Sequence, residues 1–173
     1  MNTQIRYKLL TQLLQSHNSF QWIINEWKTI SGEGQLCSSG WLHCYTDPLL
    51  AVIFNPIHAH ITNPLLFKCE VKGKTKTDHG LKEGWSEMRI TEQIDVPVIT
   101  NIQKIAFSIL CALEVYKEEK FVLWANNWLN NIDRSSESAN SAAYAANNAA
   151  ADAAYADANI NLIEIAEKAM KYK

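Results

Sequence analysis

Several features are missing from this chain, and each absence removes a class of protein. No apolar run reaches the roughly 18 residues that a membrane-spanning helix needs, so no membrane partner is expected. The opening MNTQIRYKLL has no long apolar stretch of the export type, which makes an intracellular, cytoplasmic protein the expectation. Cys37, Cys44, Cys69 and Cys111 are scattered and form no CxxC pair, so they read as reduced, mostly buried thiols. Charge of one sign is lacking too. The formal net charge is −2, and the richest basic stretch, Lys68, Lys72, Lys74 and Lys76, is broken by Glu70 and followed by Asp78. No nucleic-acid partner is expected from such a balance. The phosphate-loop, dinucleotide, zinc-protease, nucleophile-elbow and zinc-finger spacings are also absent, which favours a protein that is not an enzyme and needs no cofactor or metal.

What is present describes a globular protein. Its 173 residues fit one domain with a real core, and 47% of them are hydrophobic. Six tryptophans, Trp22, Trp27, Trp41, Trp85, Trp124 and Trp128, suggest a core gathered from distant segments. The spacing of Ile5, Leu9, Leu10, Leu13 and Leu14 predicts an amphipathic helix over the first fifteen residues. A second helix is expected from the Asn18 cap to Ile30, stopped by Ser31-Gly32-Glu33-Gly34.

A short buried strand is read at Trp41 to Tyr45, then a helix start with Asp47 as cap and Pro48 at the first position. Asn55-Pro56 should end that helix, leaving 56–64 as a loop. Further strands are expected at Leu65 to Lys72 and Met88 to Ile94, with a turn from Lys74 to Gly80 between them. Thr100 and Gln103 form a capping box for an apolar helix, and another follows with Trp124 and Trp128 on one side.

The expected organisation is an α+β domain over 1–133, with a helical N-terminus at 1–31, a mixed sheet of about three strands within 35–99, and helices over 100–131. An alanine-rich helical tail follows at 134–173. Twelve alanines lie between Ala139 and Ala158, and Ala142-Ala143-Tyr144-Ala145 recurs eleven residues later as Ala153-Ala154-Tyr155-Ala156. Eleven residues are about three helical turns, so Tyr144 and Tyr155 should share a face. Small residues let a second backbone approach, which makes that face a candidate interaction surface, for self-association as a homo-oligomer or for another protein.

Two polar clusters are candidate ligand sites. His43, Tyr45, Thr46 and Asp47 end the first predicted strand beside a helix start, a position suited to lining a cleft. Asn55, His58 and His60 lie in Asn-Pro-Ile-His-Ala-His. Two histidines two apart can reach one metal, but the spacing supplies no third ligand, and a polar loop is the plainer reading.

The order Leu36-Cys37-Ser38-Ser39-Gly40-Trp41-Leu42-His43, Thr46-Asp47-Pro48-Leu49-Leu50-Ala51, Phe67-Lys68-Cys69-Glu70-Val71-Lys72-Gly73 and Phe107 to Val115, ending in an alanine-rich tail, resembles an uncharacterised protein family of phages and prophages. The resemblance runs from about Leu36 to the C-terminus. It implies a mobile-element protein acting inside a bacterial host and carries no activity with it. A protein-binding module that modulates a host component, such as an antiviral-defence protein, is the expectation. A self-assembling accessory protein is an alternative. His43 on a strand before a short helix is also similar to ADP-ribosyltransferase-type domains, which implies a nucleotide ligand or a divergent transferase in the cleft from His43 to Asp47. Cys44 stands where those domains usually have glycine, and no catalytic Glu is assigned.

Overall fold

A computed structural model describes residues 3–135 and 160–173 of the chain. In chain order its elements are β1 (Gln4–Leu10), β2 (Lys28–Thr29), β3 (Leu42–Cys44), α1 (Pro48–His58), β4 (Leu65–Thr77), β5 (Glu83–Ile94), α2 (Asn101–Val115), α3 (Glu119–Leu129) and α4 (Leu162–Ala169). The fold is α+β, with an antiparallel five-stranded sheet. Two compact units divide the chain, Met1–Val98 and Ile99–Lys173.

In the first unit β4 and β5 form a long hairpin, and β1 pairs with β4 from Gln4↔Val71 to Leu10↔Leu65. The other edge of β5 is shared. Lys28 and Thr29 of β2 pair with Met88 and Glu87, while Leu42 to Cys44 of β3 pair with Trp85 to Glu83. Just past β3, Tyr45 exchanges both backbone hydrogen bonds with Tyr7 of β1, at 2.8 and 2.9 Å. β1, β4, β5 and β3 therefore close a small ring, which leaves fewer open edges than a flat sheet.

Inside it sit Leu10, Leu42, Cys44, Phe67, Cys69, Val71, Trp85, Met88 and Ile90, together with Trp22. The apolar helix α1 packs on β1 and buries Leu50, Ala51, Ile53 and Phe54. A bulge lets β4 bend. Its register with β5 shifts between Lys72 and Thr75, and Gly73 takes φ +86° there. A Cβ at Gly73 would lie 2.3 Å from Ser86 Oγ, which accepts a hydrogen bond from the Lys74 amide at 2.9 Å.

Several sequence expectations are corrected. Neither N-terminal helix forms: Gln4–Leu10 is a strand, and the stretch to Ile30 is a cross-tied loop ending in β2. The sheet has five strands, not about three. Lys74 to Thr77 continue β4, and the turn is confined to the residues between Thr77 and Glu83. α1 runs through Asn55-Pro56 to His58. Proline costs a helix one donor and crowds the residue before it. Here the Asn55 side chain ties off the helix end, accepting from the Ile61 amide at 3.0 Å and donating to the Ile61 carbonyl at 2.9 Å.

In the second unit the Thr100–Gln103 capping box forms as the sequence suggests, and α2 packs against α4. Phe107, Ile109, Phe121, Trp128, Leu162 and Ile165 are buried there. Gln103 also donates to the Met170 carbonyl at 2.9 Å. The described C-terminal helix, Leu162–Ala169, has eight residues. The alanine-rich run, with Tyr144 and Tyr155, lies outside the described residues. No helix among the described residues is long and apolar enough to cross a membrane.

Candidate functional site

The first predicted cluster divides when it folds. His43 and Tyr45 lie two apart on the strand and its extension, whereas Asp47 has turned into the helix. Its carboxylate accepts from the Leu49 amide at 2.8 Å, the ordinary duty of an N-cap. Thr46 is half-buried in the turn.

His43 Nε2 lies 2.5 Å from the Leu36 carbonyl. A carbonyl can only accept, so Nε2 carries the proton and Nδ1 keeps its lone pair. Tyr45 Oη lies 2.9 Å from His58 Nδ1. The phenol is buried, and if it accepted instead, its own proton would have no acceptor among the described residues. It therefore donates to Nδ1, which puts the His58 proton on Nε2. The His58 ring lies nearly parallel to those of Tyr45 and Phe54, at centroid distances of 5.9 and 5.4 Å.

The second predicted cluster also separates. Asn55 is spent on Ile61, and His60 is exposed, with Nδ1 3.4 Å from the Pro56 carbonyl. His58 and His60 thus serve different neighbours. No group of three or more His, Cys, Asp or Glu able to hold a metal occurs among the described residues.

What gathers instead is His43, Tyr45 and His58 with Lys82 and Cys37, which sequence reasoning left out. Gly84 lets the segment carrying Leu36 come close, since a Cβ there would meet Leu36 Cδ1 at 2.6 Å. Lys82, from the turn between β4 and β5, places Nζ 3.0 Å from Cys37 Sγ. Both imidazoles are held below the usual histidine range. Burial is the main cause for each. At His43 the hydrogen bond to the Leu36 carbonyl works against it, while Lys8, Lys82 and His58 add to it; at His58 Lys82 adds to it and Asp78 works in the opposite direction. Burial pushes the Tyr45 phenol upward, so it keeps its proton.

Lys8 is a further residue missed. Its side chain turns into the ring between strands, and the residue is only 7% exposed. Nζ donates to the His43 carbonyl at 2.6 Å and lies 4.9 Å from the Trp22 ring centroid. Burial lowers its pKa, against the raising influence of Cys44 and Cys69. Glu83, which reads as a surface charge in the sequence, is half-buried with Arg6, 2.6 Å from Nε to Oε2.

The third feature is apolar. Between Lys8 and Glu26 the sequence has no Asp, Glu, Lys or Arg. This segment is fastened mainly through its backbone. Gln15 and Gln21 form an antiparallel bridge, and the Trp22 amide bonds the Leu14 carbonyl at 2.9 Å. Continuing the register sets Leu13 opposite Ile23. Leu14, Asn18, Ser19 and Asn25 adopt positive φ to turn the chain. Trp22 is buried and donates from its indole to Ser16 Oγ at 3.0 Å. With Trp22 and Leu14 turned inward, Leu13, Phe20, Ile23 and Ile24 stay exposed, Leu13 at 71%. Exposed apolar residues gathered on one firmly tied, uncharged segment are characteristic of a contact surface. The sequence signal was the absence of charge between Lys8 and Glu26, hidden by reading the apolar residues as helix faces.

Comparison with known proteins leaves this geometry as the basis for function: no protein-family model, no curated protein and no solved structure matches the chain.

Proposed function

We propose that this chain is a protein-binding module whose contact surface is the crest formed by Leu13, Phe20, Ile23 and Ile24. The observation that supports this most is the combination of exposed apolar side chains with a backbone already fixed by Gln15↔Gln21 and by buried Trp22. A surface ordered before contact loses little conformational freedom on binding, so the apolar area it buries converts more fully into affinity. The partner is a different protein with an uncharged apolar groove. A host protein is the partner this reading proposes.

The test uses the full chain, tagged, to capture protein from bacterial lysate, beside the double variant Leu13→Asp, Ile23→Asp. The wild type should retain one stoichiometric protein, and the variant should lose it with an unchanged melting curve. Capture should survive about 1 M salt, where the Debye length is about 3 Å, because the crest has no charges to screen. Equal capture by the variant, or recovery of the bait alone by the wild type, overturns the reading.

A further inference from the structure

We propose that His43, His58 and Lys82 bind the phosphate group of a phosphomonoester or of inorganic phosphate, at a site separate from the apolar crest. The two rings are held in opposite tautomers. His43 donates its Nε2–H to the Leu36 carbonyl and presents a bare Nδ1, while His58 accepts the Tyr45 hydroxyl hydrogen bond at Nδ1 and presents Nε2–H. Among the described residues neither Nδ1 of His43 nor Nε2 of His58 makes a further hydrogen bond.

Lys82 is set apart by its partner. Among the described residues Lys8, Lys76, Lys117 and Arg134 share with Lys82 the lack of a carboxylate bridge, but they donate to backbone carbonyls, whereas Lys82 donates to the Cys37 sulfur, a weaker acceptor. Its ammonium keeps donors for an anion and a charge that no described carboxylate bridges.

The groups acting on the two rings are mostly cationic. Lys8 and Lys82 act on His43, and Lys82 acts on His58, with Asp78 the single carboxylate, acting on His58. Tyr45 and buried Cys44 are held in their protonated, neutral forms. A site of this sign takes an anion. The bare His43 Nδ1 selects which one, because it needs a donor. Hydrogen phosphate offers both kinds of group, and so does a phosphomonoester below its second pKa of about 6: the P–O–H can donate to His43 Nδ1 while the other oxygens accept from His58 Nε2–H and Lys82. A carboxylate or sulfate at neutral pH offers acceptors only. The arriving negative charge also favours the protonated imidazoles, so both rings should gain basicity when the site fills.

The experiment is an imidazole NMR titration of the full chain with inorganic phosphate, adenosine monophosphate and sulfate in separate arms. With inorganic phosphate the His43 and His58 resonances should shift together and saturate, and their titration midpoints should move to higher pH. His17 and His79 serve as internal controls. Lys82→Gln, in an exposed turn, should weaken phosphate by about tenfold, in line with loss of one hydrogen bond to a charged group. Sulfate should bind more weakly than phosphate. Saturation by both phosphate and the nucleotide supports recognition of the phosphate group itself, and saturation by the nucleotide alone supports a phosphomonoester held also through its sugar or base. Failure of both to move the two histidines, or an unchanged affinity in Lys82→Gln, overturns the proposal. Sulfate binding as tightly as phosphate overturns the proton-sharing role of His43. Protein capture by the crest, intact in Lys82→Gln, keeps this outcome distinct from that of the protein-binding reading.

Discussion

The apolar crest and the polar end of the ring belong to the same unit and are stabilised in opposite ways. In the crest the backbone supplies most of the ties: Thr11, Leu14, Gln15, Ser16, Phe20 and Trp22 bond one another through amides and carbonyls. Its apolar side chains are left to face outward. At the polar end side chains make the ties, His43 to Leu36, Tyr45 to His58, Lys82 to Cys37. A surface of the first kind can change its side chains without losing its shape. A site of the second kind changes shape when any member is replaced. The contrast implies that crest variants should separate binding from stability, whereas polar-end variants should couple them.

The strongest way to break the comparison is to remove the anchor shared by both regions. Trp22 is buried in the ring, ties Ser16 and lies beside Lys8, whose ammonium holds the His43 carbonyl. Trp22→Ala should cost about 3–5 kcal/mol, the usual range for deleting a buried large aromatic side chain. Urea unfolding measures it. A loss below about 1 kcal/mol would mean that the crest is held by its backbone alone and owes nothing to the ring.

Gly73→Ala should damage the polar end and spare the crest. The positive φ alone costs an L-residue roughly 1–2 kcal/mol, and the new methyl collides with Ser86 Oγ, so a loss of about 2 kcal/mol is expected. Beyond the bulge lie the pairs Thr75↔Trp85 to Thr77↔Glu83 and the turn that carries Lys82. Amide hydrogen exchange should quicken there first, with crest amides following only at global unfolding. Equal quickening in both places would show one cooperative structure with no division between the regions.

Lys8 explains why the N-terminal part of this arrangement was hard to read in advance. Arg6 and Lys8 lie on the same side of β1 as buried Leu10, so the strand's interior face carries two charges and its pattern mimics a helix. Only tertiary partners, Glu83 for Arg6 and the His43 carbonyl for Lys8, make that face intelligible. The loop that follows is similar. Trp22 goes inside and Phe20, Ile23 and Ile24 stay outside, which no period of 2 or 3.6 encodes. Where local chemistry decides, the sequence was legible: the Asp47 cap, the Thr100–Gln103 box, the strand around His43 and the helix with Trp124 and Trp128. At the polar end His43, Tyr45 and His58 were named from sequence, but in two separate clusters. Lys82 and Cys37 join them only through the long-range approach that Gly84 permits.

The buried ammonium yields a prediction in pH. Burial lowers the Lys8 pKa in the folded chain below the ordinary lysine value near 10.4. Between those two values the unfolded chain binds more protons than the folded one, so stability rises with pH across that window. Lys8→Met should remove this rise. At neutral pH it should add on the order of 1 kcal/mol, because the desolvated charge is gone and the thioether fills the space. The His43 carbonyl loses its Lys8 donor in exchange, which offsets part of that gain. Unfolding curves of both proteins at several pH values measure the slope. A variant that keeps it would place the responsible proton elsewhere.

The smallest expected effect sharpens the contrast most finely. Tyr45→Phe keeps the ring stacked on His58 and removes only the hydroxyl. A net hydrogen bond is worth about 1 kcal/mol, so the stability loss should be of that order. The chemical consequence is larger than the energetic one. Without the phenol, no described group fixes the His58 proton on Nε2, and the ring can exchange tautomers. Nitrogen chemical shifts of the imidazole report that directly: one tautomer in the wild type, a mixture in the variant. Crest binding should stay at wild-type strength, because no bond of the crest runs through Tyr45. If capture of the partner fell with the tautomer, the two regions would be coupled through β1, where Tyr7 meets Tyr45 two residues before Leu9, and the division drawn between them would have to be abandoned.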